Sequence, residues 1–511
     1  MLKQKHLKNI RIISAILVLA LFVCGFTNIL GTALIHRAGH LQFVPALLAA
    51  TTGLVVPLVG LLVVSLLFGR VYCSFLCPTG ILQDAVGRMD RLFRKKKMKF
   101  RTEKPHTIAR YTILGATVIA WIVGFNAVLT LLDPYGAFGR VGANILRPIA
   151  AAGNNLLALI FNAFGDYTFY TIDVQIVSVA SLVVAIVTLA VIVPLALRRG
   201  RYYCNVICPV GTLLGLISKV SLFKIRVDET ACNKCLLCAT KCKSGCIDSK
   251  SGVIDYSRCV ACYNCIPVCN SKALKVQWAF KKSSAKNASA VDTSKREALA
   301  TGLAVAMTAT LSACTSKATA APKEAHELPI MPPGAADSKH FLAHCTACHL
   351  CVAKCPSQCI KPAFLEYGWA GVLQPTMKYS VGSYCNYGCM VCMDTCPTGA
   401  LRPMPLSEKR KLQIGVAVFD PTHCVVSTSG TDCGACSEHC PTQAVHMVPY
   451  KDGLRIPQVD ESLCVGCGGC QSICPVRPTT AIVVKGVAVQ KHLNIAQEEQ
   501  AEEEVVSDFG F

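Results

Sequence analysis

Apolar residues dominate four stretches of the early chain, 12–34, 45–68, 108–132 and 176–197, with polar and basic residues between them. Each reaches the roughly 20 residues that a helix needs to cross a bilayer, which predicts four spans. A further apolar stretch, 148–164, is interrupted by Gly153, Asn154 and Asn155 and predicts a surface or re-entrant helix instead. Beyond residue 228 the long runs stop, and short cysteine-rich segments take over. The predicted organisation is a four-span membrane domain over 1–227, a small soluble module over 228–280, a linker over 281–340, a larger soluble module over 341–485 and a tail over 486–511. That tail is acidic through 498–504 and reads as solvated.

The net charge of +21 changes the picture only once it is located. Lys and Arg crowd 1–11, 70–110 and 198–226, whereas 35–45 and 133–175 hold few. If the spans alternate, the basic segments share one side, and the positive-inside rule makes that side cytoplasmic. The charge therefore orients a membrane protein, and nucleic acid is not an expected partner.

The 32 cysteines come in tight groups, unlike a secreted disulfide scaffold. Residues 199–211 read R-G-R-Y-Y-C-N-V-I-C-P-V-G, and 69–80 read G-R-V-Y-C-S-F-L-C-P-T-G. Each follows an apolar stretch, so the membrane domain is an internal duplication. Cys73, Cys77, Cys204 and Cys208 supply four thiols, enough for one iron–sulfur cluster or a tetrahedral metal. The alternative is four reduced thiols at helix starts, with Pro78 and Pro209 where a helix tolerates proline.

In the small module, Cys232, Cys235, Cys238 and Cys242 give C-x2-C-x2-C-x3-C, and Cys259, Cys262, Cys265 and Cys269 repeat it. Three closely spaced thiolates grip three corners of a cubane and the fourth reaches to the sister cluster, which predicts two [4Fe–4S] clusters. The larger module carries four more groups: Cys345, Cys348, Cys351 and Cys355; Cys385, Cys389, Cys392 and Cys396; Cys424, Cys433, Cys436 and Cys440; and Cys464, Cys467, Cys470 and Cys474. All four end in Cys-Pro and predict four [4Fe–4S] clusters, six in total, with the pairing of groups left open. The remaining cysteines are Cys24, Cys246, Cys314 and Cys359. Cys24 reads as a buried apolar residue, and Cys246 and Cys359, each four residues past a fourth ligand, as spare thiols. The expected fold class is an α-helical membrane domain of two duplicated helix pairs plus α+β modules of the bacterial ferredoxin kind.

The linker holds Lys295-Arg296 and then a weakly hydrophobic stretch, 298–313. S-K-R-E-A-L is similar to a twin-arginine export signal with Lys in first place, and Leu311-Ser312-Ala313-Cys314 resembles a lipoprotein processing box. A fifth crossing is expected here, with a surface helix as the alternative.

Residues 1–275 resemble the NapH-type membrane subunits of periplasmic nitrate reductase systems, on the four spans, Cys73/Cys77-Pro78, Cys204/Cys208-Pro209 and the two groups that follow. Residues 294–485 resemble the companion NapG-type ferredoxin, on the export signal and the four later groups. The resemblance implies an inner-membrane protein that takes electrons from menaquinol, a member of the quinone pool, and sends them through its clusters to a periplasmic reductase. Joining both parts in one chain departs from the usual pair of proteins and leaves the acceptor open. Quinol oxidation needs a proton acceptor, and Asp133 in D-P-Y-G, His36 and His40 are candidates. The bland reading is an interfacial carboxylate and two solvated imidazoles. A membrane maturation factor that reduces another metalloprotein, a ferredoxin-fed relay and a redox sensor are the competing classes. The topology also sets a problem, because clusters on opposite sides of a bilayer need a route between them.

Overall fold

The computed structural model describes residues 6–93, 106–174, 177–248, 253–279 and 328–495. The expected crossing at 298–313, Cys314 and the acidic tail lie outside them.

The first apolar run forms α1 (His6–Phe26), 21 residues and thus about 30 Å long. Ile13, Ile16 and Leu17 lie exposed on its surface, as lipid-facing residues would. The short α2 (Thr32–His40) links the first two runs, and the second run divides into α3 (Phe43–Thr51) and α4 (Val56–Phe68). Gly53, at φ 108°, makes the break between α3 and α4. Residues 72–75 form the one-turn α5 (Tyr72–Phe75), and α6 (Pro78–Phe93) follows Cys77. The third run divides likewise into α7 (Thr107–Ile122) and α8 (Ala127–Leu132), with Gly124 at φ 85° between them. The fourth run is the uninterrupted α11 (Val179–Arg199), named here ahead of two intervening helices.

Those two, α9 (Pro134–Val141) and α10 (Arg147–Ala163), are joined by a π-helical turn into one helix over Pro134–Ala163. The 148–164 stretch, expected as a surface or re-entrant helix and not a span, is part of one unbroken helix long and apolar enough to cross a membrane. Asn154 and Asn155 donate from Nδ2 to the carbonyls of Tyr170 and Ile172, each at 2.8 Å, so their amides are satisfied by the returning chain and the helix continues. Among the described residues three helices are long and apolar enough to cross a membrane: α1, Pro134–Ala163 and α11. The expected second and third spans contribute only the shorter apolar helices α4 and α7.

A π-helical turn (Tyr203–Ile207) and α12 (Pro209–Lys219) complete the duplication and lead into the first module. There β1 (Phe223–Val227) pairs antiparallel with β2 (Leu274–Trp278), enclosing the cysteine loops. The second module holds three further antiparallel pairs: β3 (Ile360–Pro362) with β4 (Pro375–Met377), β5 (Leu412–Phe419) with β8 (Ile482–His492), and β6 (Val445–Pro449) with β7 (Arg455–Val459). Short helices and cysteine loops connect them, the expected α+β form.

The two modules cap opposite ends of the helical bundle. At one end Leu7 of α1 packs on the first module's core, Arg110 of α7 donates to Ser257, and the Arg201 amide donates to the Lys243 carbonyl at 3.0 Å. Phe68 of α4 stacks on Phe223 with centroids 5.4 Å apart. At the other end, Phe26 of α1 shares a core with Leu350 and Ala353, and Asn126 beside α8 donates to Leu342 O at 2.9 Å. Thr51 of α3 meets His344 at 3.0 Å, and Ser181 of α11 meets His349 at 3.2 Å. Four helical columns thus run from one module to the other.

Candidate iron–sulfur sites

Duplication in the sequence becomes a pseudo-twofold in space. The copies bring Cys73, Cys77, Cys204 and Cys208 into one apolar core, none more than 4 % exposed. Each sulfur receives an N–H. Gly80 N donates to Cys77 at 3.4 Å and Gly211 N to Cys208 at 3.3 Å, the first-turn amides left free by α6 and α12. Gln83 Nε2 donates to Cys204 at 3.1 Å, and Arg70 Nη2 stands 3.9 Å from Cys73.

Arginines clasp the copies reciprocally. Arg70 of the first copy donates to the Cys204 carbonyl at 2.8 Å, and Arg201 of the second donates to the Cys73 carbonyl. Both are buried, at 0 % and 1 % exposure, so each charge requires partners. Arg70 finds Asn205 Oδ1 at 2.8 Å and Ser257 O at 3.1 Å. Arg201 grips Asp84 with two nitrogens, at 3.0 and 2.8 Å. Arg11 and Lys243 also reach Asp84, at 2.8 and 3.2 Å. Burial would raise the Asp84 carboxyl, but these cations hold it well below the usual carboxylate range. A Cβ at Gly80 or Gly211 would sit 2.4 or 2.1 Å from the facing cysteine carbonyl, so each helix start is pressed against its own motif.

The pairing left open by spacing is legible in space. Cys242 joins Cys259, Cys262 and Cys265 around one cavity, and Cys474 joins Cys424, Cys433 and Cys436 around another. Cys269 lies near Cys238. Cys396 lies beside Cys345, Cys348 and Cys351, and Cys355 beside Cys385 and Cys392. Cys440 lies beside Cys464, Cys467 and Cys470. In every case the fourth cysteine crosses to its sister group, as a two-cluster ferredoxin requires. Among the described residues no three His, Cys, Asp or Glu side chains stand close enough to share a single metal ion. In two of the sets the sulfurs surround a gap, which suits a multi-iron cube better than a zinc ion with bonds of about 2.3 Å. Burial pushes the free Cys262 thiol up to about 11 and the Cys348 thiol up to about 12, so iron would have to displace a proton at each.

Cys246 and Cys359 occupy matching places. Their sulfurs lie 3.4 Å from Cys242 and 3.7 Å from Cys355, and Cys246 also lines the first cavity. Each of these thiols sits against the fourth cysteine of a group. Cys24 is half-buried in α1.

Of the expected proton acceptors, Asp133 is fully buried and caps α9, accepting from Tyr135 N at 3.2 Å and Gly136 N at 2.7 Å. His36 and His40 face one another on α2, Nε2 to Nε2 at 2.9 Å, half-buried beside Asp394 and Thr395 of the second module. Burial keeps both below the ordinary imidazole value. Cys345–His349 spells C-x-x-C-H, the haem-attachment spacing. His349, however, is buried with Nε2 on Leu373 O at 2.9 Å and Nδ1 on Ser181 at 3.2 Å, so neither nitrogen is free for a metal. Burial holds it down at about 3, hence neutral.

Sequence reasoning missed Arg70, Arg201, Asp84 and Gln83. The recurring Gly-Arg three residues before each first cysteine was the available signal, but it had been absorbed into the charge argument for topology.

Comparison with known proteins agrees with this anatomy. A family model described as a 4Fe-4S binding domain matches twice, at residues 50–101 and 180–228, the two halves of the duplication. A 4Fe-4S dicluster domain model matches residues 431–477. An uncharacterised protein of Methanocaldococcus jannaschii is 28% identical over 237 residues, 45% of this chain and 82% of its own. The methylamine utilization ferredoxin-type protein MauM of Methylobacillus flagellatus is 34% identical over 28% of this chain and 63% of its own. The ferredoxin-type protein NapF of Escherichia coli is 30% identical over 30% of this chain and 84% of its own. No solved structure matches.

Proposed function

This chain belongs to the ferredoxin-type iron–sulfur electron-transfer proteins, and we propose that it is a membrane-bound relay that oxidises menaquinol and passes the electrons to a reductase or carrier beyond the membrane. The observation that carries this reading is the seating of six ferredoxin-type cysteine groups at the two ends of an apolar bundle whose α1 matches a bilayer in length. The four columns are then four spans, two of them interrupted, with the first module cytoplasmic and the second outside. The chain leaves the first module at Ala279 and re-enters at Leu328 on the second, so its linker has to bridge the two ends, and 298–313 is the apolar stretch available for the crossing.

Residues hold and move the reactants in distinct places. The six groups would hold [4Fe–4S] clusters, which supply one-electron chemistry. Quinol oxidation is assigned to the junction of α2 and the second module, where the neutral His36–His40 pair can take a proton beside the loop that leads to Cys396. Asp133, deep beneath, serves the α9 cap and is the second proton acceptor. Anaerobic mixing of the purified protein with a reduced menaquinol analogue should bleach the cluster absorbance, more slowly in His36→Ala. Reduction by dithionite with none by quinol would overturn the quinol reading. It would favour a carrier-fed or maturation role, to which the exposed Cys235 edge of the first module is suited.

A further inference from the structure

The seven cysteine groups are linked from one to the next by local contacts. In the first module, Cys265 neighbours Cys238 of the outer group. Cys262 of the inner group lies in the same apolar core as Cys73, Cys77, Cys204 and Cys208. Ser74, between the first pair, donates to the Val260 carbonyl, and Arg70 touches both the Ser257 carbonyl and the Cys204 carbonyl. On the other side, Thr79 beside Cys77 donates to the Pro134 carbonyl. From Pro134, α9 leads directly to the second module: a Cβ on Gly139 would stand 2.2 Å from the Cys348 carbonyl, and Arg140 reaches the Ala347 carbonyl at 3.4 Å. Beyond lie Cys351 next to Cys392, then Cys385, whose amide donates to the Cys467 carbonyl at 2.9 Å, then Cys470 next to Cys436.

We propose that this chain conducts electrons through the membrane inside its own fold, with Cys73, Cys77, Cys204 and Cys208 holding the [4Fe–4S] cluster that joins the two ferredoxin modules. The inference rests on the iron–sulfur reading of the modules and is independent of quinol oxidation. Its support is local. Four buried sulfurs each receive an N–H, which stabilises the thiolate form. Two buried guanidiniums lie alongside, and a cluster on four thiolates is net negative in both redox states, so Arg70 and Arg201 offset a charge that an apolar core would otherwise reject. The family model for 4Fe-4S binding falls on these two motifs and not on the first module.

The step balances as single-electron hops. The reduced inner group of the first module loses one electron as the central cluster gains it, and the central cluster returns to its oxidised state as the Cys345 group is reduced. No bond forms or breaks. At the ends, a one-electron carrier protein serves the first module, and quinol or a second redox protein serves the other.

The full chain is placed in quinone-free liposomes with ferricyanide trapped inside and dithionite outside, an arrangement indifferent to orientation. Ferricyanide should be reduced far faster than in empty vesicles, and Cys204→Ser/Cys208→Ser should slow it at least tenfold. That variant should also lose about one seventh of its iron and one EPR signal while keeping the others. Iron, signals and rate unchanged in the double variant would overturn the proposal. Should it fail to fold, Gln83→Leu keeps every cysteine. A shifted midpoint in one signal alone supports the central cluster, and identical titrations in all signals refute it.

Discussion

Arg70 and Arg201 each serve the opposite copy, and their charge is affordable only because of what surrounds them. Asp84 is the counterweight for Arg201, Arg11 and Lys243 together. Asp84→Asn leaves three cations without their carboxylate and should cost about 3–5 kcal/mol, the range for breaking a buried pair. Its carboxyl is depressed in the folded state, so its contribution is complete above an unfolded value of about 4 and is lost as pH falls below that. Thermal unfolding in detergent should therefore separate variant from wild type most widely near neutrality, and the gap should narrow in acid. A second prediction concerns Cys246, whose thiol sits against the Cys242 sulfur. Cys246→Ala should keep full iron content yet lower the midpoint potential of that cluster, because hydrogen bonds to ligand sulfurs favour the more negative, reduced form. Cys246 as an essential ligand would show itself as iron loss instead. The cysteine groups were legible because a cubane demands their spacing; Arg70 and Asp84 were not, because a buried charge and a topogenic one look alike in a sequence.

Among the elements, the apolar runs announced helices but not their interruptions. Gly53 and Gly124 each place a positive-φ turn beside the residues that meet the second module. Asn154 and Asn155 misled in the other direction, since a polar pair in an apolar helix reads as a break until its partners at Tyr170 and Ile172 are known. The starts of α6 and α12 are set by C-P-x-G, and here the sequence was informative: proline opens the helix and glycine lets it close on the preceding turn. Gly211→Ala puts a methyl 2.1 Å from the Cys204 carbonyl, a backbone atom with nowhere to move. The substitution should cost about 1–3 kcal/mol and deplete the iron bound at the central site, as read by metal analysis. A Gly215→Ala variant would meet the Ser257 carbonyl instead and serves as a control for general crowding in α12.

At the scale of the molecule, the spacing of the cysteines reveals two sets of groups and no path between them, since depth in a bilayer is not a property of spacing. Folding brings the D-P-Y-G turn from the far end to Thr79, the contact on which the proposed path depends. The opposed placement of the modules yields a direct expectation. An alkaline phosphatase fused after residue 279 should be inactive and one fused after residue 495 active, and equal activity at both points would refute the opposed topology.

The hydrogen bonds to the four central sulfurs have one more consequence. They bring only N–H donors to the sulfurs themselves, so in the proposed relay an electron would pass without a proton taken up at a sulfur. The relay we propose would then be electrogenic. Moving one charge across the whole membrane is worth about 2.3 kcal/mol per 100 mV, so an imposed potassium diffusion potential should speed or slow the discharge of trapped ferricyanide according to its sign. The resting voltage of the cell would act as a fixed bias on which end of this chain fills with electrons.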